Sequence, residues 1–142
     1  MRPSRLLPLA AVAALTALAG CGPTGTSKSS SKNFTGAKKD VAQTVDDLAS
    51  AAGKRDAKAI CTELLAPALQ QKLGSGGSSC QTVIADQLKD ADLATLDTRS
   101  VTIDGQHATA VVRSQYYGKD RDVTVMLVRG AGGAWRISGI QP

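Results

Sequence analysis

From Ala37 onward the apolar positions recur first at a helical period and then at a strand period. Val41, Val45, Leu48 and Ala52 lie three or four residues apart, with Asp40, Asp46 and Asp47 on other faces. This predicts a first helix over 37–52. Gly53-Lys54-Arg55 breaks it, and Asp56 suits the N-cap of a second helix, because its carboxylate can accept the free amides of the first turn. That helix carries Ile60, Cys61, Leu64 and Leu65 and should stop near Ala66, since a proline disfavours helix in the residue before it. Pro67 opens a short third helix with Leu69 and Leu73, ended by Gly74. A polar loop to Ser79 precedes a fourth helix over 79–90 with Val83, Ile84 and Leu88.

From Thr98 the period becomes two. Arg99, Val101 and Ile103 alternate with Ser100 and Thr102, and Asp104-Gly105 is a two-residue hairpin signal. A return strand runs from Gln106 to Tyr117, and Gly118-Lys119-Asp120 turns the chain again. Val123, Val125 and Leu127 then alternate with polar neighbours, and after Gly130–Gly133 a last strand over 134–140 carries Trp135 and Ile137 on one face. Helices followed by a four-stranded antiparallel meander make an α+β pattern, with the helices covering one face of the sheet.

Residues 1–20 have a different pattern. Arg2 and Arg5 precede an uncharged apolar run from Leu6 to Ala19 that has no 3.6-residue period. A membrane span needs about 20 apolar residues, so this shorter run reads as the core of an export signal. It ends in Leu18-Ala19-Gly20-Cys21, which resembles the lipobox of bacterial lipoproteins. The resemblance implies a diacylglyceryl group on the Cys21 sulfur and cleavage between Gly20 and Cys21. The lipid would attach the chain to the membrane and place it outside the cytoplasm. Residues 21–36 are rich in Gly, Ser, Thr and Lys, with Phe34 alone as a large apolar side chain. They read as a flexible tether, leaving 37–142 as one α+β domain.

Charge and cysteine count change meaning once the chain is divided this way. The formal net charge is +5, yet six of the 17 basic residues precede Asp40. The remainder holds 11 basic and 12 acidic residues. The domain is nearly neutral and poor in aromatics, so nothing in it points to nucleic acid. The excess charge stands where export and anionic headgroups would use it. With Cys21 assigned to lipid, Cys61 and Cys80 remain, and outside the cytoplasm they are expected to pair. Two buried thiols or a redox pair are the alternatives, although the spacing is far from Cys-x-x-Cys.

The domain also resembles the nuclear transport factor two-like superfamily, of cystatin-like α+β fold. The resemblance rests on the first helix with Val41, Val45 and Leu48, and on the Gly53-Lys54-Arg55-Asp56 turn. Cys61 and Cys80 around Leu64-Leu65 and the closing Trp135-Arg136-Ile137 strand complete it. It implies a curved sheet wrapped on helices into a cone with an apolar pocket. Isomerases, dehydratases, cyclases and non-catalytic binding modules share that fold, so fold alone does not name an activity.

No catalytic constellation stands out in the residues. His107 is the only histidine, follows the first hairpin, and falls on the face opposite Ala108, Ala110 and Val112. No nucleophile motif accompanies it. Tyr116 and Tyr117 point to opposite faces, so Tyr116 is a candidate pocket residue, and Arg99 is the one charged side chain on the phase of Val101 and Ile103. Asp86, Asp90 and Asp92 lack the glycine-centred spacing of a calcium loop, and Gly74-Ser75-Gly76-Gly77 lacks the Lys-Ser/Thr of a phosphate loop. No metal or cofactor is expected. The outer sheet face with Val111, Arg113, Met126 and Val128 is more apolar than an open face requires and is the candidate surface for a second copy or an envelope protein. The expected function is a lipid-anchored, non-enzymatic binding module for a small apolar ligand or an envelope protein. An exported isomerase- or cyclase-like enzyme and a purely structural lipoprotein are the alternatives.

Overall fold

The computed structural model describes residues 29–90, 95–116 and 119–142, except the side chains of Asp90 and Tyr116. Gly20, Cys21, Tyr117 and Asp92 therefore lie outside the described residues. Helix α1 (Gly36–Gly53) buries Val41, Val45, Leu48, Ala49 and Ala52 on one stripe, as its period predicts. Helix α2 (Ala57–Ala59) starts at Asp56, whose carboxylate accepts the Ala59 N–H at 2.9 Å. It does not continue as an α-helix. Ile60–Leu64 widens into a π-turn closed by the Leu65 N–H donating to the Ile60 carbonyl at 3.0 Å. Helix α3 (Pro67–Gly74) begins on its proline, and α4 (Cys80–Asp90) follows Ser79, whose Oγ accepts the Thr82 N–H. The Cys61–Cys80 disulfide joins the π-turn to the start of α4.

Strands β1 (Leu96–Asp104), β2 (His107–Tyr116), β3 (Lys119–Arg129) and β4 (Trp135–Gln141) pair in chain order, all antiparallel. Ala108, Ala110, Val112, Val125, Leu127, Trp135 and Ile137 are buried on the face the helices cover. The first hairpin turns one residue later than Asp104-Gly105 suggests. Asp104 pairs with His107, so Gly105 and Gln106 form the turn. Gly105 supplies the positive φ of 56°, the pattern of a type II′ turn in which only the first central residue needs it. The edge of β4 is partly occupied. Leu65 bridges Ile137 in parallel, and the Ala66 N–H donates to the Ile137 carbonyl at 2.8 Å.

Two bulges decide which side chains face the helices. In β1, Thr98 pairs with Val112 and Ser100 with Val111, leaving Arg99 unpaired between them. Leu96, Thr98 and Val101 are consequently the buried residues, and Arg99 is turned out. In β4, Ile137 pairs with Leu127 and Gly139 with Met126, leaving Ser138 as the extra residue. Ile140 thereby shares the inner face with Val125.

Part of the segment expected as tether makes defined contacts with the domain. Ser30–Asn33 forms a 3₁₀ turn, with Ser30 and Ser31 buried. The Ser30 N–H and Oγ–H donate to Asp46 Oδ1 at 3.1 and 2.8 Å. The Ser31 N–H and the Ser29 hydroxyl donate to Oδ2, both at 2.9 Å. Ser30 Oγ also accepts the Thr98 N–H at 3.0 Å, so one serine links α1 to the bulge of β1. Composition predicts a spacer because serines bury little apolar area. Here they are held by a carboxylate that satisfies the free amides of a turn.

Burial pushes the Asp46 carboxyl up, but the Ser31 N–H and the Ser30, Ser29 and Ser31 hydroxyls outweigh it and hold it below its ordinary 3.8. A depressed carboxylate stabilises the fold above its unfolded value, and that contribution is lost as pH falls through the folded value. The Ser30, Ser31 and Thr98 amides should therefore lose hydrogen-exchange protection below about pH 3.8. Asp46→Asn should lose it at neutral pH, while Val112 in mid-sheet keeps its protection in both cases.

Candidate functional site

The inner sheet face and the helices enclose an apolar cavity of about 350 Å³. Leu48 of α1, Ile60 of the π-turn and Leu65 form one wall, and Ile84, Gln87 and Leu88 of α4 form another. The sheet supplies Leu96, Ser114, Val123, Val125 and Ile140. Ligand cavities span about 300–1,000 Å³ and are mostly apolar with a few polar groups, so this one sits at the small end of that class. Among the described residues no lining side chain is ionisable, and Gln87 and Ser114 are the polar members. Ser114 Oγ–H reaches the Arg121 carbonyl only at 3.5 Å, which leaves the hydroxyl weakly engaged.

Local sequence builds this space for identifiable reasons. The π-turn adds a residue to one helical turn, and Ile60 and Cys61 are both buried. Arg136 in β4 secures the turn by donating to the Thr62 carbonyl at 2.8 Å. The disulfide fixes α4 beside it, with Cα atoms 6.2 Å apart. Ile140 closes the mouth and is 53% exposed, the largest exposure of any large apolar side chain among the described residues.

The structure distributes the candidate residues differently from their sequence phase in one case. Arg99 does not line the cavity. Bulged out of the ladder, it is exposed and pairs with Asp97 at 3.3 Å, so its assignment to the pocket is corrected. Tyr116 lies on the backbone phase of Val112 and Ser114, and its side chain lies outside the described residues. His107 is exposed on the outer face, opposite Val128. Val111, Arg113, Met126 and Val128 share that face and are half-buried there, with Arg113 paired to Asp122 at 3.3 Å. Met126 lies over Gly139, where an added Cβ would come within 2.5 Å of its Cε.

Sequence reasoning missed Gln87, Ser114 and Ile140 as lining residues. Ser114 and Gln87 were accessible, since Ser114 continues the alternation of Ala110 and Val112, and Gln87 stands three residues after Ile84. Ile140 was not, because its face depends on the β4 bulge. Elsewhere, a shallow polar depression is lined by Asp47, Lys54, Asp56 and Glu63. Among the described residues no group of three or more His, Cys, Asp or Glu could hold a metal ion. No described helix is long and apolar enough to cross a membrane. No family model, curated protein or solved structure matches the chain.

Proposed function

We propose that this chain is an exported, lipid-anchored lipoprotein of the cell envelope whose domain is a nuclear transport factor two-like cone that binds a small apolar ligand without catalysis. The cavity carries this reading. It lies between helices and sheet, its described lining is almost wholly aliphatic, and among the described residues it presents no ionisable side chain to a substrate. The anchoring part rests on Arg2 and Arg5 before the apolar run and on Leu18-Ala19-Gly20-Cys21 after it. The Cys61–Cys80 disulfide suits an oxidising compartment.

Two measurements test the two parts. Cells fed an alkynyl fatty acid should label the wild-type chain and leave Cys21→Ser unlabelled; equal labelling would remove the lipoprotein reading. Native mass spectrometry of the mature Cys21→Ser chain should show a co-purified small molecule or uptake of an added apolar probe such as decanol. Ile140→Trp places a large ring at the exposed mouth, where folding tolerates it, and should abolish that uptake. Uptake by Ile140→Trp equal to wild type would place the ligand elsewhere and overturn the cavity reading.

A further inference from the structure

The ladder between β2 and β3 runs without a register shift from His107↔Val128 to Tyr116↔Lys119. Side chains therefore alternate strictly between the faces along this hairpin. Val125 and Val123 line the cavity, and the next two residues on their phase are Arg121 and Lys119. Arg121 pairs directly with Ser114, itself a lining residue. Both cations are exposed, and neither has a carboxylate within 4.0 Å among the described residues. The acidic residues of the same stretch occupy the other phase and are engaged there. Asp122 holds Arg113, and Asp120 accepts from Gln115 Nε2 at 3.4 Å. The strand period thus sorts four consecutive charges, with the cations on the cavity face and the anions on the outer face.

An aliphatic cavity with two cations past its lip, unpaired among the described residues, is complementary to an amphiphile of opposite layout. Resting on the reading of the cavity as a ligand site, we infer that the ligand is a single-chain anionic amphiphile of the fatty-acid class. Its hydrocarbon chain fills the space between Leu48, Ile84, Val125 and Ile140. Its carboxylate lies at the mouth against Arg121 and Lys119, with Ser114 and Gln87 as neutral hydrogen-bonding groups between chain and head. The volume of about 350 Å³, near the lower end for ligand cavities, suits one chain. The cations supply orientation and charge selectivity, and the cavity supplies the burial.

Titration calorimetry of the mature Cys21→Ser chain with decanoate and with decanol separates these contributions. Decanoate should bind about tenfold more tightly than decanol at low ionic strength, and the preference should shrink as salt is raised. Lys119→Gln combined with Arg121→Gln should remove the preference and leave decanol affinity within about twofold. Ile140→Trp should remove binding of both. Equal affinity of the wild type for both compounds would overturn the anionic-head assignment while the cavity reading stands. Failure of both compounds to bind would overturn the two together. A third arm uses flotation with phosphatidylglycerol vesicles. Vesicle binding that is lost in the double variant but unchanged by Ile140→Trp, without decanoate preference, would make the cations a bilayer contact and sink the proposal.

Discussion

Replacing Cys61 and Cys80 together by alanine should lower stability by about 3 kcal/mol, and Tm by on the order of 10 °C. The bond closes a loop with a sequence separation of 19, and Cys61 is itself buried, so lost packing adds to the freed chain entropy. Helix α4 makes the effect functional as well as energetic. It packs on α2, the π-turn and α3, and the disulfide is the covalent tie among them. Its Ile84, Gln87 and Leu88 form one wall of the cavity. At a temperature where the double variant remains folded, its affinity for an apolar probe should still fall severalfold. Wild type treated with reductant should match it in both urea midpoint and probe binding. A reduced protein that melts as the oxidised one does, and binds equally, would show that the bond does not hold the wall.

Leu127→Ala should cost about 2–5 kcal/mol, whereas Met126→Ala should cost less than about 1 kcal/mol. The two residues are adjacent on β3, but Leu127 is buried against the helices and Met126 lies half-buried over Gly139 on the outer face. Truncating Leu127 leaves a void in a core that relaxes only partly; truncating Met126 mainly exposes its neighbours to solvent. Urea unfolding with a common m-value reads both costs. Comparable costs would mean that the outer face is packed against something in solution, as a second copy on Val111, Met126 and Val128 would do.

Much of the architecture follows from local chemistry. The amphipathic stripe of Val41, Val45 and Leu48, the Asp56 cap, Pro67 at the head of α3 and the alternation through Ala108, Ala110 and Val112 each have a short-range cause. Boundaries drifted where a local preference was outweighed. The helix expected through Leu65 widens at Ile60, because a π-turn places Ile60 and Cys61 inside while Leu65 turns to bridge Ile137. Ser29, Ser30 and Ser31 carry no apolar signal, and their order comes from a carboxylate 15 to 17 positions away.

The candidate site divides along the same line. Its aliphatic character was legible, since Val123, Val125, Ile84 and Leu88 fall on the inner phases of their elements. Its charge arrangement was not. Arg99 stood on the right phase and Lys119 read as turn, yet the structure turns the first outward and brings the second onto the cavity side of a longer strand.

What the amino-acid order determined by itself is the set of elements, their order and their apolar faces. Those follow from periodicity and capping, which act over a few residues. What only the tertiary structure decided is the set of side chains that meet at the cavity. A bulge inserts one residue, and with a period of two a single insertion exchanges the faces of everything beyond it. That shift sends Arg99 to solvent and brings Ile140 to the mouth, and it depends on how strands pair rather than on which residues compose them.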